Sequence, residues 1–178
     1  MKSHSMKKIF TLFVLFAGLL SYGSLEATPT KLVVRAKAKD SKFVGTSMGG
    51  ARVVVRDAET GKVLAEGLTA GGTGNTRTIM LEPMKRFGRI AEGAAKFEAT
   101  IDIDEPRLVD IEVEAPYIHK DNMIKSSTQI WLIPGRDMAG DGIIIEIPGF
   151  SVDAVSPAKA TLVNNRAVIP IKARIVMI

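Results

Sequence analysis

The chain has 178 residues, with 24 Lys and Arg against 19 Asp and Glu, no cysteine, and 6% aromatic residues. The lack of cysteine excludes disulfides, thiol redox chemistry and cysteine-ligated metals. The small basic excess and the few aromatic rings argue against nucleic-acid binding, which needs a strong basic surface and stacking platforms.

Residues 1–27 have the organisation of a secretory signal peptide. Lys2, Lys7 and Lys8 precede an apolar run of about 12 residues, and small and polar residues then lead to Ala27. A membrane-spanning helix needs about 20 apolar residues. We therefore predict cleavage after Ala27 and a periplasmic or secreted protein without a transmembrane segment. An uncleaved N-terminal anchor is the alternative.

Alternation of apolar and polar residues marks the first strand, at 31–39. Lys31, Arg35, Lys37 and Lys39 are expected on a side that faces solvent. The opposite, inward side is formed by Leu32, Val34, Ala36 and Ala38.

A hairpin is predicted next, from strands at 51–57 and 62–68 around a turn in which Gly61 supplies a positive φ. Three segments without clear alternation follow. In chain order they predict a flexible loop, an extended segment and a long loop, at 70–75, 76–81 and 82–95.

Alternation returns in the strands 96–104 and 107–115, which Pro106 separates. A second long loop, 116–125, leads to a strand at 126–133. That strand holds Trp131, which is interpreted as a core residue because its neighbours are Ile130, Leu132 and Ile133.

The last third predicts a turn at 137–142 with Asp141-Gly142 as a hairpin tip, then an inner strand at 142–147. Strands at 159–164 and 166–178 flank a turn at Asn164-Asn165. The final strand carries an apolar face made of Ile169, Ile171, Ala173, Ile175 and Met177.

Nine to ten short strands without a long helix predict an all-β fold, an antiparallel β-sandwich of the immunoglobulin-like or transthyretin-like type. Residues 28–178 are expected to form a single domain with long loops at 82–95 and 116–125.

The segment 49–69 resembles the opening hairpin of carboxypeptidase-regulatory-like and transthyretin-like sandwiches, through Val53-Val54-Val55, Asp57 and Thr60-Gly61-Lys62. The resemblance implies a fold, not an activity. Ureidohydrolases of transthyretin-like fold use paired histidines and a Tyr-Arg-Gly-Ser terminus. The chain after Ala27 has one histidine, His119, and ends at Ile178 without that motif, so this activity is excluded.

No catalytic motif stands out. His119 lies in a polar loop with no nucleophile motif near any serine, which favours a surface histidine over a catalytic triad. Paired carboxylates for glycoside hydrolysis would have to come from four strand positions. Charged residues that alternate along a strand normally form its solvated face, which explains all four. These positions are Glu98, Glu112, Glu114 and Glu146.

No cofactor is expected, although copper and calcium stay open as alternatives. The candidate copper ligands are His119 and Met123, which are four residues apart, with further thioether groups from Met48, Met80, Met84 and Met138. Carboxylates for calcium cluster at 102–105 and 137–141, without matching a dedicated calcium loop.

The sequence thus favours an exported, non-catalytic module that binds a protein or another envelope component through its loops. The candidate contact residues are Gly71, Gly72, Thr73, Asn75, Lys85, Arg86, Phe87, Arg89, Tyr117 and His119. Two alternatives are a surface-fibre or adhesin-type subunit that exchanges its apolar C-terminal strand and a hydrolase that uses acidic residues.

Overall fold

The computed structural model describes residues 26–156 and 159–178, which form nine strands in three sheets. All but the last two residues of the predicted signal peptide lie outside the described residues. In chain order the strands are β1 Thr28–Ala38, β2 Arg52–Asp57, β3 Val63–Leu68, β4 Phe97–Ile103, β5 Arg107–Ala115, β6 Ile124–Leu132, β7 Met138–Ile147, β8 Phe150–Ser156 and β9 Lys172–Met177.

The first sheet has three strands in the order β4-β1-β7. β1 pairs antiparallel with β4 and parallel with β7, so it lies in the centre. Its inward side is formed by the four residues predicted from the alternation, all at most 1% exposed.

The prediction of a solvated opposite side on β1 was wrong for Arg35, which is only 6% exposed, and Val33 on that side is 3% exposed. Arg35 is covered because residues 94 and 95 lie over it and accept its hydrogen bonds. A period of two identifies the faces of a strand but not which segment covers them.

The second sheet is antiparallel throughout, in the order β3-β2-β5-β6. The predicted hairpin is present as β2 and β3, and Gly61 has φ +71° in its turn. The buried Asp57 carboxylate fixes this turn, because its Oδ1 accepts the backbone N–H groups of Glu59 at 3.0 Å and Thr60 at 2.7 Å.

The inward sides of both sheets form one hydrophobic core. β5 contributes Val109, Ile111 and Val113, each 0% exposed, and these pack with β1, β2 and the ends of β6 and β7. The protein is therefore an all-β, sandwich-like fold, as predicted, with a parallel β1–β7 pair inside the otherwise antiparallel arrangement.

Two segments differ from their predicted conformation. Residues 76–81 do not extend but form a π-helical turn, Arg77–Leu81, which is closed by the N–H of Glu82 donating to the carbonyl oxygen of Arg77 at 2.9 Å. The turn at 137–142 is instead the start of β7, which pairs with β1 and belongs to a different sheet from β6.

Gly142 explains the irregular start of β7. It has φ +65°, and a Cβ there would meet the carbonyl oxygen and side chain of Val33 on β1. The Asp-Gly pair thus fits an irregular strand pairing rather than a hairpin tip.

Trp131 lies outside the core, contrary to the interpretation above, with 55% of its surface exposed. On β6 the even-numbered positions Ile130 and Leu132 face inward, so Trp131 shares the outer side with Gln129.

The third sheet is a two-stranded antiparallel ribbon of β8 and β9. The predicted strand at 159–164 is absent apart from one bridge between Val163 and Arg166, which closes the predicted turn with both asparagines at positive φ. The C-terminal strand is shorter than predicted, and its exposed apolar residues do not join the main core.

Candidate functional site

The predicted loops 70–75 and 82–95 lie side by side. The backbone groups of Ala70 and Lys96 pair with each other, and the N–H of Ala95 donates to the carbonyl oxygen of Gly72 at 2.8 Å. The two loops therefore form one surface unit rather than two independent tips.

Residues 43–50 connect this unit to the third predicted loop, 116–125. Thr46 and Gly71 exchange two hydrogen bonds of 3.0 Å, one through the Thr46 Oγ1 atom. On the other side, the N–H groups of Tyr117 and Ile118 donate to the carbonyl oxygens of Gly50 at 3.0 Å and Met48 at 3.2 Å. The structure thus brings all three loops onto one connected framework.

Arg35 fixes the second loop to the first sheet. Its guanidinium donates to the carbonyl oxygens of Ala94 and Ala95, the latter at 3.1 Å, and to that of Asp141 on β7 at 3.1 Å. Burial lowers the pKa of this guanidinium, and the nearby Asp141 and Glu98 carboxylates oppose that shift.

Asp141 completes this attachment from the other end. Its Oδ2 accepts the N–H of Ile90 at 2.8 Å, and its Oδ1 accepts that of Ala91 at 3.3 Å. Below them, the Ile79 and Ile90 side chains pack on a small second core of Phe43, Ala91 and Ala94. Residues 90–96 therefore have a fixed position on the sandwich.

Four of the ten predicted contact residues have structural roles in this framework. Gly71, Gly72 and Thr73 use backbone groups to join the loops, and the Asn75 Oδ1 atom accepts the N–H of Arg77 at 2.9 Å. Sequence alone shows the loop chemistry of these residues but not their partners.

The other four residues of the first two loops point into solvent. Lys85, Arg86, Phe87 and Arg89 are exposed, Phe87 at 92%, and the Arg86 guanidinium lies 5.1 Å from the centre of the Phe87 ring. Phe87 also has φ +62°, a backbone conformation that residues other than glycine rarely adopt.

Tyr117 and His119 are half-buried at the third loop. The Lys120 ammonium group lies 4.7 Å from the centre of the Tyr117 ring, and the His119 carbonyl oxygen accepts the N–H of Asn122 at 3.0 Å in a short 3-10 turn. The loop therefore presents a cation and an aromatic ring together.

The four carboxylates considered for hydrolysis all lie in ion pairs. Lys125 bridges Glu112 at 2.8 Å and Glu114 at 3.2 Å, while Glu98 pairs with Lys96 and Lys31, and Glu146 with Lys37. Hydrogen bonds from Lys96 and Lys31 lower the pKa of Glu98, and one from Arg52 lowers that of Glu114. Both shifts are opposite in direction to the raised pKa that a carboxyl group needs to act as a general acid.

Several carboxylates considered for calcium are already used by the chain. Asp137 Oδ1 accepts the N–H of Lys31 at 2.8 Å, and Asp104 lies 3.5 Å from Arg107. Within residues 26–156 and 159–178, no group of three or more His, Asp or Glu side chains has a metal-binding arrangement.

The ribbon of β8 and β9 was predicted only in part: the sequence indicated the apolar face of the C-terminal strand, but β8 was not predicted as a strand. Its residues Phe150 and Val152 lie opposite Met177 and Ile175, and all four are at least 59% exposed. Alternation of Phe150, Val152 and Ala154 with Ser151 and Asp153 is the signal that could have identified it.

None of the helical segments in the described part of the chain has the length and apolarity needed to cross a membrane. No protein-family model matches the chain, and no match was found among curated proteins or solved structures.

Proposed function

We propose that the protein is an exported, non-catalytic β-sandwich that acts as a binding or assembly module in the cell envelope. The partner is another protein, and the ribbon of β8 and β9 is the main contact surface. The observation that carries this proposal is the exposed apolar face of the ribbon.

The composition of this face favours a protein partner. This face carries no charged side chain, because it consists of the pairs Phe150–Met177, Val152–Ile175 and Ala154–Ala173. Contiguous exposed apolar surface of this kind is typical of protein-interaction sites.

The edges of the ribbon support the same interpretation. Within residues 26–156 and 159–178, β8 pairs only with β9 and β9 only with β8, so each has a second edge that no described strand covers. A two-stranded sheet is marginally stable by itself, and an added strand from a partner would extend it.

Val152→Asp tests the proposal, because it places a charge in the centre of the apolar face. We expect at least about tenfold weaker capture of envelope proteins, since an interface would have to bury the new carboxylate. Capture is measured by pull-down with the purified protein, followed by titration of each captured partner.

The control is Val63→Asp on β3, another exposed strand valine that lies outside the ribbon. It should leave capture unchanged. Equal binding by the native protein and Val152→Asp would contradict the proposal.

A fibre-type subunit is a second candidate, favoured by the connection to β9. The segment before β9, from 159 to 171, forms no regular strand, and β9 pairs with one strand only. A last strand attached in this way is suited to exchange between copies. Size-exclusion chromatography of the chain without residues 168–178 tests this candidate, and an unchanged monomer would contradict it.

A further inference from the structure

We propose that residues 77–89 form a docking site for a membrane surface that contains anionic phospholipids. This loop, named the basic loop here, runs from the π-helical turn Arg77–Leu81 to Arg89. The proposal is independent of the ribbon, because it concerns another surface and another class of partner.

The tip of the basic loop exposes apolar side chains that the fold does not use. Leu81 and Met84 are each 75% exposed and Phe87 is 92% exposed, and all residues from 81 to 89 are exposed. None of these three belongs to a hydrophobic core, in contrast to Ile79 inside the loop and Ile90 directly after it, which pack on the second core.

The charge of the basic loop differs from that of the remaining chain. It holds four basic residues and one acidic residue, whereas the rest of the chain after Ala27 carries equal numbers of basic and acidic side chains. The one acid, Glu82, lies 2.8 Å from Arg77. Lys85, Arg86 and Arg89 form no ion pair with any other residue that the structure describes.

Basic and apolar side chains of the basic loop lie next to each other. Arg86 lies over the Phe87 ring, and Lys85 and Arg89 line an open pocket of about 200 Å³ together with Met84. A phosphate headgroup beside these cations would let Phe87, Met84 and Leu81 reach the acyl boundary.

The backbone supports a role for Phe87 outside folding. Its φ of +62° is unfavourable for a side chain, and its ring contributes to no core. By contrast, the base of the loop is held by the Asp141 carboxylate through Ile90 and Ala91. A fixed base with an apolar, basic tip is the arrangement that surface insertion requires.

An anionic membrane explains both features better than an acidic protein does. The carboxylates of an acidic protein would pair with the basic side chains, but the three exposed apolar side chains Leu81, Met84 and Phe87 would be left without a partner. Basic side chains near a membrane surface add attraction to anionic lipids, and apolar side chains add burial.

The test places a tryptophan at the tip. Trp131 is the only tryptophan in the chain, so Phe87→Trp combined with Trp131→Phe in the full chain reports on position 87 alone. The probe is vesicles of phosphatidylcholine with about one-third phosphatidylglycerol, compared with phosphatidylcholine alone. The local reporter separates insertion of this loop from attachment through residues 1–27.

We expect a blue shift of the emission, and protection from acrylamide, with the anionic vesicles. Adding Lys85→Gln and Arg86→Gln should weaken the apparent vesicle affinity about thirtyfold, whereas the matched pair Lys159→Gln and Arg166→Gln should not. Phe87→Gly should weaken vesicle co-sedimentation without lowering stability, because glycine accepts the positive φ.

Three results would overturn the proposal. They are an unshifted emission with anionic vesicles, equal shifts with both kinds of vesicle, and equal affinities for the loop variant and its matched pair. The first result, combined with binding of a soluble acidic protein, would assign the loop to a protein partner instead.

Discussion

At the scale of single residues, the buried charges decide how irregular segments are held. Asp57 is 3% exposed and accepts hydrogen bonds from the backbone of its turn and from Arg107 on β5 at 2.9 Å. The backbone N–H of Thr60 is the main cause that lowers the pKa of Asp57 from 3.8 to about 2, with a further contribution from Arg107. Asp57 therefore joins the β2–β3 hairpin to its neighbouring strand.

This lowered pKa predicts a pH dependence of stability. Because the folded pKa lies below the unfolded one, the contribution of Asp57 is complete above about pH 4 and is lost as the pH falls towards about 2. Asp57→Asn should be less stable than the native protein at neutral pH, and the difference should shrink over that interval. Urea denaturation at several pH values measures it.

The control for Asp57 is Asp102→Asn, the same change at an exposed strand position whose side chain makes no hydrogen bond or ion pair with a described residue. A difference between native protein and Asp57→Asn that stays constant down to pH 2 would contradict the assignment.

At the scale of elements, β7 shows how one close backbone contact sets a strand. Its first half pairs irregularly with β1, with a shift in register between Leu32 and Val34. Gly142 allows this because it combines φ +65° with a direct approach to Val33. The same strand then carries Ile145 and Ile147 into the core.

We expect Gly142→Ala to destabilise the protein by about 2–4 kcal/mol, through conformational strain and displacement of the Val33 backbone. The matched control is Gly61→Ala, where φ is +71° but a Cβ would meet nothing within 4 Å. That change should cost only about 1 kcal/mol. If chemical denaturation showed equal losses in the free energy of unfolding for both variants, the close approach of Gly142 to β1 would not be the cause of the destabilisation.

At the scale of the whole molecule, the two larger sheets and the ribbon differ in how far their side chains contribute to the main hydrophobic core. The central strands β1, β2 and β5 each have two neighbours and contribute to the main core. The ribbon contributes no β8 or β9 side chain to that core, although Ile178 after β9 is buried in it. The prediction that residues 28–178 form one domain stays a prediction.

This difference predicts uneven protection in hydrogen exchange. Amides of β8 and β9 should exchange at least about tenfold faster than those of β1 and β5, because a ribbon outside the core opens without unfolding the sandwich. Mass spectrometry of exchanged peptides measures this. Binding of the partner proposed for the ribbon should then slow exchange there and leave the central strands unchanged, and equal protection of ribbon and core in the free protein would contradict the expectation.

The sequence by itself determined the all-β class, most strand positions and the inward residues of β1, because alternation depends only on local geometry. It also identified the exposed basic residues of the 82–95 loop. Only the tertiary structure decided that Arg35 is buried, that Trp131 is exposed, that Asp141 anchors a loop and that β8 completes a ribbon with β9. These outcomes depend on which distant segment covers each face, and the local pattern of a strand is the same whether its face meets a loop, a sheet or water.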